Sequence, residues 1–130
     1  MNQELFNLYN EYFASIEQLR ASNDESKETL EKNEVIERFV FSFDIFLEIL
    51  RSLVKKHKVN CIYPVSCIKA AVKFGLLAKE NIYLQMLEDK YKIIQLKNSR
   101  YPEELFLRVQ VKYVPLLSNF LQRVRDNYLV

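Results

Sequence analysis

One glycine, Gly75, and three prolines in 130 residues leave this chain few places to reverse direction. Antiparallel sandwiches and nucleotide-binding sheets need many tight turns, and several of those need a positive φ that only glycine adopts without strain. Long helices joined by few connectors need neither. Hydrophobic residues make up 49% of the chain, nine Phe and eight Tyr among them, which is enough apolar surface to close one core over a single helical domain spanning 1–130. The expected fold class is all-α, a four-helix up-and-down bundle plus one short helix.

Apolar spacing gives the elements. Leu5, Tyr9, Tyr12, Ile16 and Leu19 follow steps of 4, 3, 4 and 3 and predict a first helix from about Asn2 to Arg20, with Phe6, Leu8 and Phe13 widening its stripe. In the polar stretch 21–33 that follows, the N-terminal half reads as a loop, while the Glu- and Lys-rich second half can already open the next helix. The second helix carries two seams: Ile36, Phe39, Phe43, Phe46, Leu50 and Leu53, and beside them Val35, Val40, Leu47 and Val54. Burying both requires further helices or a second subunit, so the exposed apolar face of this helix is a candidate for self-association. Lys55, Lys56, His57 and Lys58 close the helix where the macrodipole favours positive charge. Pro64 to Gly75 reads as a short helix opened by proline and ended by glycine. A fourth helix is predicted from about Lys79 to Lys97. A last one starts near Pro102 and kinks at Pro115, which cannot donate to the Val111 carbonyl.

Residues that carry chemistry are sparse. Nineteen Lys and Arg against seventeen Asp and Glu give a net charge of +2, with no electrostatic case for duplex DNA or a membrane surface. No apolar run approaches the ~18 residues that a bilayer span requires. The opening residues, Met1 to Asn7, have neither the basic nor the apolar region of a secretion signal, so the expected location is cytoplasmic. Cys61 and Cys67 are too few for a disulfide framework and read as two buried free thiols. With His57, the only histidine, they fit no common zinc spacing, so neither a metal nor a cofactor is expected. Gly-rich phosphate loops and nucleophile elbows do not occur in the sequence. Arg51, Lys55, Lys56 and Lys58 offer phosphate contacts, but a solvated helix end explains them more simply.

Three stretches in order carry a resemblance. The first is Val35-Ile36-Glu37-Arg38-Phe39 running into Phe43-Asp44. The second is the proline-started segment Pro64 to Leu76 with its terminal Gly-Leu, and the third is Tyr83-Leu84-Gln85-Met86-Leu87-Glu88-Asp89. Together they resemble the nucleotidyltransferase substrate-binding proteins, helical members of the HEPN superfamily, over about residues 5 to 125. The resemblance implies a helical bundle that forms a homodimer and binds a minimal nucleotidyltransferase encoded beside it, the two making a heterotetramer. It implies that the dimer presents substrate to the enzyme, with a nucleotide or RNA as the ligand class. Related pairs act as toxin and antitoxin, the HEPN partner being a metal-independent ribonuclease whose motif is an Arg, a short spacer, a His and then a Tyr.

This sequence departs from that motif. Lys90 stands at the Arg position, Gln95 at the His position and Lys97 at the Tyr position. Glutamine exchanges no proton near neutral pH, and lysine keeps the charge of arginine without its bidentate fork. The expected role is a non-catalytic substrate-binding or regulatory subunit, with a cleft lined by Asp89, Lys90, Gln95 and Lys97 and with Tyr91 beside them. Two alternatives stand next to it: a ribonuclease toxin with relocated catalytic groups, for which Arg100 and His57 are the replacements, and a plain helical interaction module. In a regular helix positions 90 and 95 lie about 140° apart, so Lys90 and Gln95 meet one ligand only if the helix ends early or a second chain contributes.

Overall fold

The computed structural model describes residues 2–25, 29–96 and 100–129, and every regular element among them is helical. They are α1 (Gln3–Glu25), α2 (Thr29–Lys55), α3 (Pro64–Lys73), α4 (Glu80–Leu96) and α5 (Glu103–Arg108), which runs through a π-helical turn (Val109–Tyr113) into α6 (Val114–Asn127). The all-α expectation holds. α1 continues to Glu25 because residues 21–25 contain no glycine or proline to stop it.

α2 is the element around which the others assemble, lying against α1, α3, α4, α5, the π turn and α6. Its first seam is buried throughout. Its second seam is covered as well: Val35, Leu47 and Val54 are buried and Val40 is partly so. The apolar face expected to be free for self-association is therefore packed inside the bundle. Among the described side chains of α2, Phe41 is a large apolar one turned outward, 62% exposed.

The core is organised by rings. Tyr113, Phe39, Phe43, Phe46 and Tyr83 stack in succession along α2 with centroids 5.2 to 5.7 Å apart. Phe120 meets Phe46 edge-on at 4.7 Å, and Tyr12 meets Phe120 edge-on at 6.2 Å. Such pairs contribute roughly 0.5–1.5 kcal/mol each beyond the area they bury. This column ties α1, α4, the π turn and α6 to α2. Tyr12 also donates its buried hydroxyl to the Leu117 carbonyl at 2.7 Å, fixing α1 to α6.

Two connectors show how local chemistry ends the helices. After α3 the Leu76 N–H bonds to the Ala71 carbonyl at 2.8 Å and the Gly75 N–H to that of Val72 at 3.1 Å, with Gly75 at φ 77°. This is a Schellman closure, which the sequence-level proline-to-glycine reading anticipated. After α2 the left-handed position falls to Lys58, φ 61°. Cys61 and Cys67 are not free thiols. Pro64 turns the connector into α3, so Cys67 on its first turn comes back to Cys61, Cα atoms 5.1 Å apart, and the two form a disulfide.

The two left-handed residues give opposite expectations. Gly75→Ala forces a Cβ into that conformation and should lower stability by about 1 kcal/mol, while Lys58→Gly relieves it and should raise stability by about 0.5–1 kcal/mol. Urea midpoints of the two variants should shift in opposite directions, and a shift in the same direction would contradict this account.

Candidate functional site

α4 forms on a stripe of Tyr83, Met86, Leu87 and Ile93, all buried. Asp89 lies on that stripe, three residues after Met86 and four before Ile93, and is 1% exposed. A carboxylate held there must find charge and hydrogen bonds, because removing it unpaired from water costs several kcal/mol. It finds both. Arg108 donates from Nε to Oδ2 and from Nη2 to Oδ1, each at 2.9 Å, in a bidentate fork, and the Tyr113 hydroxyl donates to Oδ2 at 2.5 Å. Hydrogen bonding to Asp89 raises the Arg108 pKa above its ordinary value. Burial first, and then the bond to Asp89, raise that of Tyr113.

The π turn makes this arrangement possible. In an α-helix, residues five apart point about 140° away from each other. A π turn bonds each carbonyl to the fifth residue on, and here the Val114 N–H reaches the Val109 carbonyl. The wider turn brings Arg108 and Tyr113 onto one carboxylate. Pro115 accounts for its location, since an α register would ask a nitrogen with no hydrogen to serve the Val111 carbonyl. The kink expected from Pro115 is thus taken up as a widened turn just before it.

The residues expected to line the cleft divide by direction. Asp89 points into the bundle with both oxygens engaged, so it supports the segment rather than facing a ligand. Lys90 leans on α2, ion-paired to Asp44, with its ammonium 5.9 Å over the Tyr91 ring. Tyr91 and Gln95 are exposed, as is the neighbouring Ile94. Lys97 lies outside the described residues. α4 stays regular to Leu96, so Lys90 and Gln95 do diverge on one chain. A broad open depression of about 760 Å³ runs along the start of α4 between Lys79 and Glu88, and none of these residues lines it.

Arg100 and His57, the replacements for a relocated ribonuclease site, are far apart. Arg100 borders a small cavity of about 130 Å³ with Lys32 and Ile36 on the first turns of α2. His57 lies past the other end of α2, its ring stacked on Phe74 at 4.1 Å. Some twenty residues of helix, about 30 Å, separate the two positions. Neither Arg108 nor Tyr113 stands out as a site residue in the sequence. The signal that could have found them is an aspartate at a stripe position, which requires a cationic partner elsewhere.

Two expectations follow from the network. Arg108→Met leaves the buried carboxylate without its countercharge and should destabilise the fold by about 3 kcal/mol, whereas Tyr113→Phe removes one hydrogen bond and should cost about 1–2 kcal/mol. Chemical denaturation of both variants checks the order. Alkali should also act through tyrosine. Burial raises the pKa values of Tyr12, Tyr83, Tyr101 and Tyr113 above their ordinary 10.0. Above about pH 10 the unfolded chain loses phenolic protons that the folded chain keeps, so stability should be undiminished below that pH and fall above it. Circular dichroism melts from pH 8 to 12 should show the decline, less steep in Tyr12→Phe.

No curated protein matches the chain. The family described as nucleotidyltransferase substrate binding protein like matches it over residues 4–126, from the first turn of α1 almost to the end of α6. That range takes in the α4 segment, Asp89 and both partners that hold it, and the chain belongs to this family.

Proposed function

We propose that this chain is the non-catalytic substrate-binding or regulatory subunit of a nucleotidyltransferase, a HEPN-type partner with a degenerate ribonuclease motif in a toxin–antitoxin-like pair. The family match over residues 4–126 carries this reading. The motif positions support the non-catalytic part. Gln95 has no proton to exchange, and Lys90 is engaged with Asp44. The ligand class is a nucleotide or RNA, held by charge and hydrogen bonds rather than transformed.

On this reading the cleft is composite, with Lys90 from one chain and Gln95 from the other, because a regular α4 turns the two apart on a single chain. The homodimer contact belongs on the outward side of α2 and α4. Phe41 stands there on α2, Tyr91 and Ile94 are each 47% exposed on α4, and the Lys90–Asp44 pair bridges the two helices. The assembly is a heterotetramer, two copies of this chain with two of the enzyme.

Co-expression with a minimal nucleotidyltransferase encoded beside this chain, followed by sizing with light scattering, tests the reading. The expected mass is two copies of each chain, and Ile94→Glu should leave this chain monomeric. A monomer at high micromolar concentration, or a homodimer that ignores the enzyme, would make a plain helical interaction module the better account.

A further inference from the structure

Charge is unevenly distributed along this chain. Residues Ile49 to Lys79 include seven Lys and Arg and no Asp or Glu, while the rest carries twelve against seventeen. A stretch of +7 is thus embedded in a molecule of net +2. The fold gathers most of it at one end of the bundle: the end of α2, the connector and the outer side of α3. Lys73 lies 6.0 Å over the Phe74 ring that stacks on His57, which sets the ends of α3 and α2 side by side. Arg51 donates to the Ile62 carbonyl at 3.3 Å and holds the connector against α2. Lys55, Lys56, Lys58, Lys69 and Lys73 are all exposed, and none of them is ion-paired among the described residues. In the same stretch as these cations, the loop closed by the Cys61–Cys67 disulfide displays Ile62, 67% exposed, Tyr63, 70% exposed, and Val65.

An apolar centre with a charged rim is the anatomy of a protein–protein interface. Two features select the occupant. Unopposed lysines steer an acidic surface toward this end and disfavour a basic one. Ile62 and Val65 gain free energy only by leaving water, which a sugar-phosphate strand does not offer them. Three apolar side chains on a bridged loop also fall well short of the amphipathic helix that seats a protein in a bilayer. We propose that this end of the bundle docks an acidic face of the partner nucleotidyltransferase, with Ile62 and Tyr63 entering an apolar hollow on that enzyme. This docking rests on the substrate-binding-subunit reading and leaves the outward side of α2 and α4 to the homodimer.

Affinity of the full chain for the purified nucleotidyltransferase, measured at low and high salt, tests the proposal. The variants are Ile62→Asp and the triple change Lys55→Glu, Lys58→Glu and Lys69→Glu, with Ile94→Glu as a control on the other surface. All changes lie at exposed side chains, and circular dichroism verifies that each variant folds. Ile62→Asp should weaken binding at least about tenfold, and the triple variant about a hundredfold with loss of salt dependence. Ile94→Glu should still bind the enzyme. Unchanged affinity in the first two variants overturns this docking surface while the subunit reading stands; failure of the unaltered chain to bind sinks both. Variants that keep the enzyme but lose poly(U) RNA or phosphatidylglycerol vesicles bound by the unaltered chain would assign the patch to a polyanion and overturn protein docking.

Discussion

Asp89 is a carboxylate inside an apolar bundle, and much of the structure answers to it. The charge cannot stay there without a cation and hydrogen-bond donors, and α4 supplies neither at the right place. Both come from the C-terminal helical run, five residues apart, from Arg108 and Tyr113. They converge only because the chain abandons the α register between them. Pro115 makes that departure inexpensive, since the α register would be broken next to it in any case. A local defect and a buried charge thus answer each other.

Tyr113 joins two systems. Its hydroxyl serves Asp89, and its ring stacks on Phe39 at 5.2 Å, the first step of the aromatic column along α2. The polar network therefore sets the rotation of α4 and of the π turn against a helix whose own position is set by rings. With Asp89 turned inward, α4 places Lys90 against Asp44 and turns Tyr91, Ile94 and Gln95 to solvent. The same rotation that satisfies a buried charge thus decides which side chains of α4 stay accessible.

On the proposed reading, the two outward features serve different partners. The side formed by α2 and α4 has exposed apolar residues beside a cross-helix ion pair, which suits a second copy of the chain. The end formed by α2 and α3 has lysines without carboxylates around an apolar loop, which suits an acidic surface. The order of the segments explains this separation. Seven of the nineteen cations fall within residues 49–79, and the motif lies beyond them on the next helix.

The helices themselves were legible in the sequence. The scarcity of glycine, the apolar steps along α1 and α2, and the proline and glycine around α3 are local signals, and local hydrogen bonding acts on them directly. Family resemblance was legible for a similar reason, because it rests on short segments in a fixed order. What the bundle alone decided were the pairings between segments distant in the chain. The second seam of α2 could have faced a partner or the interior, and only the packing of the other helices put it inside. Two cysteines six residues apart became a disulfide because the turn at Pro64 brought them together. Asp89 read as a cleft residue because its neighbours in sequence are motif residues, yet its partners, nineteen and twenty-four residues away, hold it in the core. Periodicity reports which side of a helix is apolar; what that side meets is settled by the global packing of the chain.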